Sequence, residues 1–281
     1  MSPDALSVLL RAASFVVLLQ GAGIALFVAL FSRQLAAAGT GIRSLGVRST
    51  AVAVPLLAAQ LGLEAARMAG ELAGVLDWSM QRMVLGSVAA AVFGARILGA
   101  VLIAGGLSGR GRLAQALACG GGLLVASSFA LTGHTAVHPA RWLLAPALTA
   151  HLLIGALWLG ALPALYLATV REASDRAAGL IEAFSRVAVW VVPLLAVAGV
   201  VMMLELVPGL AVFAQPYGWL LLVKMMGFAL LMGLASANRW RFGPAVARGA
   251  TRAFKRSLAA EYLLMVVVLA ATATMTSLYS P

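Results

Sequence analysis

The three histidines of this chain are the residues whose type and spacing best fit metal chemistry. His134, His138 and His151 are all the histidines of the 281-residue sequence. They fall within residues 127–169, where two long apolar runs are joined by a short link. A histidine at membrane depth is costly unless it is paired, ligated or faces water, so it is a functional candidate by default. This clustering predicts a metal site at one face of a membrane.

Methionines at a similar predicted depth could complete such a site. His151 is predicted to lie ~13 Å below the outer surface, from the helical rise per residue. Met202 and Met203 lie near the end of the apolar run 185–207, and Met225 and Met226 lie within the apolar run 217–237. Thioether groups select Cu(I), whereas imidazole also suits Cu(II) and zinc. Core packing is the alternative for each methionine, because its flexible side chain fills gaps between helices.

Other polar residues could line a path to this site. Trp158 lies seven positions after His151, on the same face of a helix. Glu205 follows the first methionine pair, and Lys224 precedes the second. Lys224 would repel a cation unless it is paired, for instance with Glu205. We therefore predict that these three residues belong to a polar pathway.

The apolar run 50–72 carries a stripe of polar side chains. Gln60, Glu64, Arg67, Met68 and Glu71 recur at helical spacing and run toward its outer end. Arg67 can pair with Glu64 or Glu71, and such an ion pair facing the bundle is the simpler interpretation. The alternative is a path by which cations enter from outside.

The histidines also have structural alternatives. His151 could make a satisfied hydrogen bond to a neighbouring helix. His134 and His138, four residues apart beside a proline, could be surface residues of a turn. Cys119 is more often a small apolar residue than a ligand.

The elements that must position these residues are membrane helices. Hydrophobic residues make up 63% of the chain, charged residues only 10%, and the mean hydropathy is +1.01, which excludes a soluble protein of this size. We predict an all-α polytopic membrane protein with a single domain, 1–281, and a bundle of eight transmembrane helices. About 20 apolar residues are needed to cross the bilayer core. The predicted spans are 8–31, 50–72, 83–104, 113–132, 142–169, 185–207, 217–237 and 257–278.

Basic residues predict how these spans are oriented. The chain has 20 Lys and Arg against 9 Asp and Glu, and most of the basic residues lie in the links after odd-numbered spans. Such an excess marks cytoplasmic loops of membrane proteins, so no nucleic-acid partner is expected. Both termini and the link with His134 and His138 are then predicted to be periplasmic. One cysteine excludes an internal disulfide and a cysteine-based metal framework.

Several sequence blocks resemble a known family. They are TGH at 132–134, HLLIGALWLG at 151–160, FSRVAV at 184–189, and YGWLLLVKMMGFALLMGLASANRWRFGP at 217–244, followed by Glu261. In order and spacing they resemble the CopD family of copper-resistance membrane proteins, also called PcoD-like, most strongly over residues 83–281. The family residues that match are His134, His151, Trp158 and Lys224.

The resemblance implies an inner-membrane protein that moves copper from periplasm to cytoplasm. It also implies a separate periplasmic CopC-like copper chaperone, because this chain carries no such module. Copper, as Cu(I) or Cu(II), is then the expected ion, and no organic cofactor or enzyme activity is expected.

Two other functions stay open at this stage. A b-type redox protein would need two histidines at one depth on facing helices, and only His151 lies clearly within a span. The other alternative is a copper-sensing or assembly factor.

Overall fold

The computed structural model describes residues 2–207 and 209–279, except for the side chain of His134. Eight of its helices are long and apolar enough to cross a membrane, and the described residues contain no strand. This confirms the predicted all-α polytopic fold. The eight helices are α1 (Pro3–Phe31), α2 (Gly39–Ala69), α3 (Val88–Ser108), α4 (Arg112–Ser128), α5 (Arg141–Arg171), α6 (Ser174–Leu206), α7 (Pro216–Ala237) and α8 (Thr251–Leu278).

Local sequence signals explain where some of these helices start and stop. Ser2 caps α1 by accepting a hydrogen bond from the Ala5 N–H at 3.3 Å. Gly70 ends α2 with a left-handed φ of 78°, a conformation that favours glycine. Glu71 therefore lies beyond the helix and does not continue the polar stripe of α2.

Several helices extend past the apolar runs from which they were predicted. The second span was expected to begin at residue 50 but α2 begins at Gly39, and the sixth was expected at 185 but α6 begins at Ser174. Polar and basic turns continue the helix in both cases, because hydropathy marks only the part inside the bilayer. The expected loop after α7 also starts as a π-helical turn, Asn238–Phe242, and a short helix, Gly243–Val246.

Helix α1 occupies the centre of the bundle. It packs against α2, α4, α5 and α8, while α3 packs against α2 and α4. Helix α6 packs mainly on α5, and α7 packs mainly on α8. The two outer helices are only 11% buried over their most apolar stretch. Such exposed apolar surface fits contact with lipid in a membrane protein.

The contact between α1 and α5 depends on glycine. A Cβ at Gly23 would lie 1.7 Å from the carbonyl oxygen of Ala156, and a Cβ at Gly160 would lie 2.4 Å from the backbone of Gly23. The two backbones therefore touch where small residues permit it, as is common between membrane helices. This crossing fixes α5, the helix that carries His151 and Trp158.

Candidate functional site

His151 lies half-buried on α5 and faces α6. Its Nδ1 lies 3.0 Å from the carbonyl oxygen of Leu195, and a Cβ at Gly199 would come within 3.4 Å of its ring. A carbonyl oxygen can only accept, so Nδ1 must carry the proton, and in the neutral ring Nε2 keeps a lone pair. No described residue makes a hydrogen bond to Nε2. Metal-binding histidines commonly have this arrangement, with the second ring nitrogen held by a backbone carbonyl.

In His138 the Nδ1 atom is an acceptor, whereas in His151 it is a donor. The Nδ1 of His138 accepts a hydrogen bond from the backbone N–H of Ala140 at 3.1 Å, just before α5 begins. In the neutral ring the proton is then on Nε2, so neither nitrogen offers a free lone pair. His138 therefore supports the start of α5 in this conformation. The side chain of His134 lies outside the described part of the structure, and its role as an outer ligand stays a prediction.

The four candidate methionines lie on helices that are not extensively packed against each other. Met202 and Met203 are half-buried near the end of α6. Met225 and Met226 on α7 are 48% and 63% exposed. The helices that carry the two pairs pack mainly on different neighbours, and a ligand role for either pair stays a prediction. Among the described residues, no three or more His, Cys, Asp or Glu side chains are grouped closely enough to hold a metal ion.

Lys224 is half-buried on α7. No ion pair joins Lys224 to Glu205, which is exposed, and no other described carboxylate lies within 4.0 Å of the Lys224 ammonium. The suggested pairing of these two residues is therefore wrong.

The polar stripe of α2 ends in an ion-pair network. Arg67 lies 3.2 Å from a carboxylate oxygen of Glu64 and 3.2 Å from one of Asp4, at the start of α1. Deeper in α2, Gln60 is buried and its Oε1 accepts from the Ser14 hydroxyl at 3.4 Å. Glu71 is exposed and outside the helix. This geometry favours a structural link between α1 and α2.

A second polar group lies buried between α5, α7 and α8. The indole Nε1–H of Trp158 donates to Glu261 Oε2 at 3.1 Å, and the amide Nδ2–H of Asn238 donates to Glu261 Oε1. The three residues are 5%, 2% and 8% exposed, respectively. The structure thus gives Trp158 a partner that spacing alone did not reveal. Glu261 and Asn238 were absent from the predicted site, although both lie in or after the 217–244 block.

Comparison with protein families gives this arrangement a context. A model described as copper resistance protein D-like, N-terminal domain, matches residues 1–143, and one described as copper resistance protein D matches residues 178–275. The chain belongs to the copper resistance protein D family. Residues 144–177, with His151 and Trp158, lie between the two matched ranges. No curated protein and no solved structure matches the chain.

The sequence analysis of this CopD-family chain did not identify the buried charge of Arg96. Arg96 on α3 is 8% exposed, and its Nε donates to the Ser128 hydroxyl at 3.2 Å. Its guanidinium lies 4.0 Å from the ring centroid of Phe129, so a cation–π contact stabilises it. An arginine inside an apolar run was the signal available in the sequence.

The structure also contains a cavity of about 720 Å³ between α1, α2, α5 and α8. It lies near the links that join α1 to α2 and α5 to α6. Arg48 and Arg171 are at its rim, and Gln20 and Tyr262 lie in its wall. The Tyr262 hydroxyl donates to Gln20 Oε1 at 2.6 Å, and Gln20 Nε2–H donates to Ser49 at 2.7 Å. Polar groups therefore extend from this side into the bundle.

Proposed function

We propose that this protein carries copper across the bacterial inner membrane, from periplasm to cytoplasm, with His151 as a ligand inside the bundle. Membership of the copper resistance protein D family supports copper as the cargo. The observation that carries the proposal is the free Nε2 of His151, held by the Nδ1 hydrogen bond to Leu195. Transport without an organic cofactor is part of the same proposal.

The chemistry of the surrounding residues favours Cu(I) as the transported form. Imidazole and thioether groups bind Cu(I). Met202 and Met203 lie near the end of α6, the helix whose Leu195 carbonyl is bonded to His151. A pathway must bind an ion strongly enough to admit it and weakly enough to release it. A single imidazole, with no described cluster of further His, Cys, Asp or Glu ligands, fits a transient site better than a storage site.

The inward direction rests on the predicted orientation of the helices. If the basic links are cytoplasmic, the start of α5 faces the periplasm, and His151 lies ten residues below it. A CopC-like periplasmic protein is the proposed donor of copper at this side. His134, at the same end of the bundle, is the proposed point of first contact, whereas His138 has no free ring lone pair in this conformation.

The experiment compares two His151 variants in proteoliposomes with a Cu(I)-specific dye inside. His151→Asn keeps an N–H that can donate to the Leu195 carbonyl but removes the imidazole ligand, whereas His151→Ala removes both. We expect the rate of Cu(I) uptake to fall at least about tenfold in both variants, equivalent to ~1.4 kcal/mol. Thermal stability should fall only in His151→Ala.

His138→Ala is the matched control, because its ring supports α5 and offers no free lone pair. We expect it to lower stability more than uptake. Wild-type uptake in His151→Asn would show that the hydrogen bond alone matters and would refute the ligand role. A visible spectrum of the same purified protein checks the haem alternative, and we expect no haem absorption.

A further inference from the structure

The buried carboxyl of Glu261 has hydrogen-bond donors but no charged partner. Trp158 and Asn238 each donate to one of its oxygens. No described lysine, arginine or histidine lies within ion-pair distance of it. An ionised carboxylate in such a place is costly, because only two neutral donors replace the water that it loses.

The helices around Glu261 bring no compensating charge. Helix α5 contributes Trp158 and the π-helical turn after α7 contributes Asn238, and both are neutral. From α1, the neutral Gln20 bonds to Tyr262, the neighbour of Glu261, and to Ser49. The two arginines of the π-helical turn are directed elsewhere: Arg239 donates to the Ser185 carbonyl at 2.8 Å, and Arg241 lies over the Phe242 ring.

The neighbouring amide can satisfy two protonation states. Asn238 carries both a donor and an acceptor, and its Oδ1 is buried without a hydrogen-bond partner. In the observed conformation, Asn238 Nδ2–H donates to the Glu261 carboxylate. After a half-turn of the amide, Oδ1 could instead accept the O–H of a protonated Glu261. One turn earlier on α8, the buried hydroxyl of Ser257 also has no partner and faces the same side.

These groups are better suited to a proton than to a metal ion. Calcium and magnesium ions take at least six oxygen ligands, whereas both Glu261 oxygens already accept N–H donors. The cavity of about 720 Å³ reaches Leu258 and Tyr262, on the same stretch of α8 as Glu261. Asn238 also opens a π-helical turn, and such turns frequently occur at functional sites.

We propose that Glu261 is a proton-exchange site, which takes up and releases one proton as Asn238 turns its amide, and that this exchange is coupled to copper movement. Binding converts the carboxylate and one proton to the neutral acid, and release reverses it. The coupling rests on the proposed function, whereas the proton site does not. Trp158 is a positioning residue, because its N–H holds the carboxylate.

Infrared difference spectroscopy of the purified protein in lipid tests the proton site without any transport. Wild-type protein should show a protonated-carboxyl band that appears on acidification and is absent in Glu261→Gln. In Trp158→Phe the band should persist to higher pH, because the ionised form loses a donor. Glu64→Gln, which alters a carboxyl paired with Arg67, should leave the band unchanged. An unchanged band in Glu261→Gln would overturn the proposal.

Copper uptake into the same proteoliposomes, with the interior more acidic or more alkaline than the exterior, tests the coupling. We expect the wild-type rate of copper uptake to change several-fold with the sign of the pH gradient. The rate of Glu261→Gln should be the same in both gradients. A gradient response that survives in Glu261→Gln would overturn the coupling. Failure of wild-type uptake in every gradient would refute the proposed transport and the coupling, and the infrared band would still decide the proton site.

Discussion

The two described histidines show that a ring nitrogen's partner decides what a histidine can bind. In His151 the protonated Nδ1 meets a carbonyl, so Nε2 is available. In His138 the same atom accepts a backbone N–H, so the lone pair is used locally. Both side chains are half-buried, and burial alone would not separate them.

The methionines provide a prediction at the same scale. Met→Leu keeps most of the volume and apolarity, so a packed residue should lose less than about 1.5 kcal/mol of stability. We expect the double change Met202→Leu and Met203→Leu to slow Cu(I) uptake at limiting copper without lowering thermal stability. Leucine fills the space but offers no sulfur.

The double change Met225→Leu and Met226→Leu is its matched comparison. These side chains are 48% and 63% exposed, so we expect a smaller effect on uptake. Met275→Leu, buried near the end of α8, serves as a packing control. Wild-type uptake in both doubles would confine the ligands to the histidines.

The contact between α1 and α5 supports a prediction about whole elements. A Cβ at Gly160 would lie 2.4 Å from the backbone of α1, so the helices would have to separate. We expect Gly160→Ala to cost about 1–3 kcal/mol of stability, as overpacking usually does. The melting temperature in detergent should fall accordingly.

Gly94 on α3 is the control glycine for this measurement. Nothing lies within 4 Å of the position that its Cβ would take. Gly94→Ala should therefore be neutral or stabilise the helix by about 0.5–1 kcal/mol. Equal melting temperatures for Gly160→Ala and Gly94→Ala would contradict the close packing.

Glu172 ties the link between α1 and α2 to the link between α5 and α6. Its Oε1 accepts from the N–H of Ala36 at 2.8 Å and of Ala38 at 2.9 Å. Burial raises its pKa, but the N–H groups of Ala38, Ala36 and Ala37 and the charge of Arg176 outweigh it, so the net pKa lies below its ordinary value.

This lowered pKa gives the stability a definite pH dependence. A carboxyl with a depressed folded pKa stabilises the protein above its unfolded pKa, and the contribution is lost as the pH falls through the folded value. Thermal melts should therefore show Glu172→Gln less stable than wild type at neutral pH, with the difference shrinking in acid. Glu182→Gln, at an exposed carboxyl 3.5 Å from Arg186, should match wild type. A difference that is constant with pH would refute the ionic contribution.

At the scale of the molecule, the eight candidate membrane helices predict an even number of crossings, with the start of α1 and the end of α8 on one side of the membrane. The basic residues predict which side. Reporter fusions after residues 36, 110, 172 and 249 should score cytoplasmic, and fusions after 75, 138 and 213 should score periplasmic. A cytoplasmic score at 138 would place the outer histidines inside and reverse the proposed direction of transport.

The sequence by itself determined the number and type of the membrane-spanning elements. Each span needs about 20 consecutive apolar residues, a signal that is read from one stretch of chain at a time. The concentration of histidines around α5 and the resemblance to the copper resistance protein D family could be found in the same way. Helix ends were less predictable, because polar turns such as the start of α2 remain helical outside the bilayer.

Only the tertiary structure decided which polar side chains meet. Hydropathy places Trp158 and Glu261 in two predicted spans and Asn238 directly after a third, but the contact of these residues depends on how α5, α7 and α8 rotate and cross. The same geometry separates the two methionine pairs, since α6 and α7 pack on different neighbours. Which nitrogen of His151 is free was likewise set by a carbonyl 44 residues away in sequence. Partners on different helices depend on packing, which no single stretch of sequence encodes.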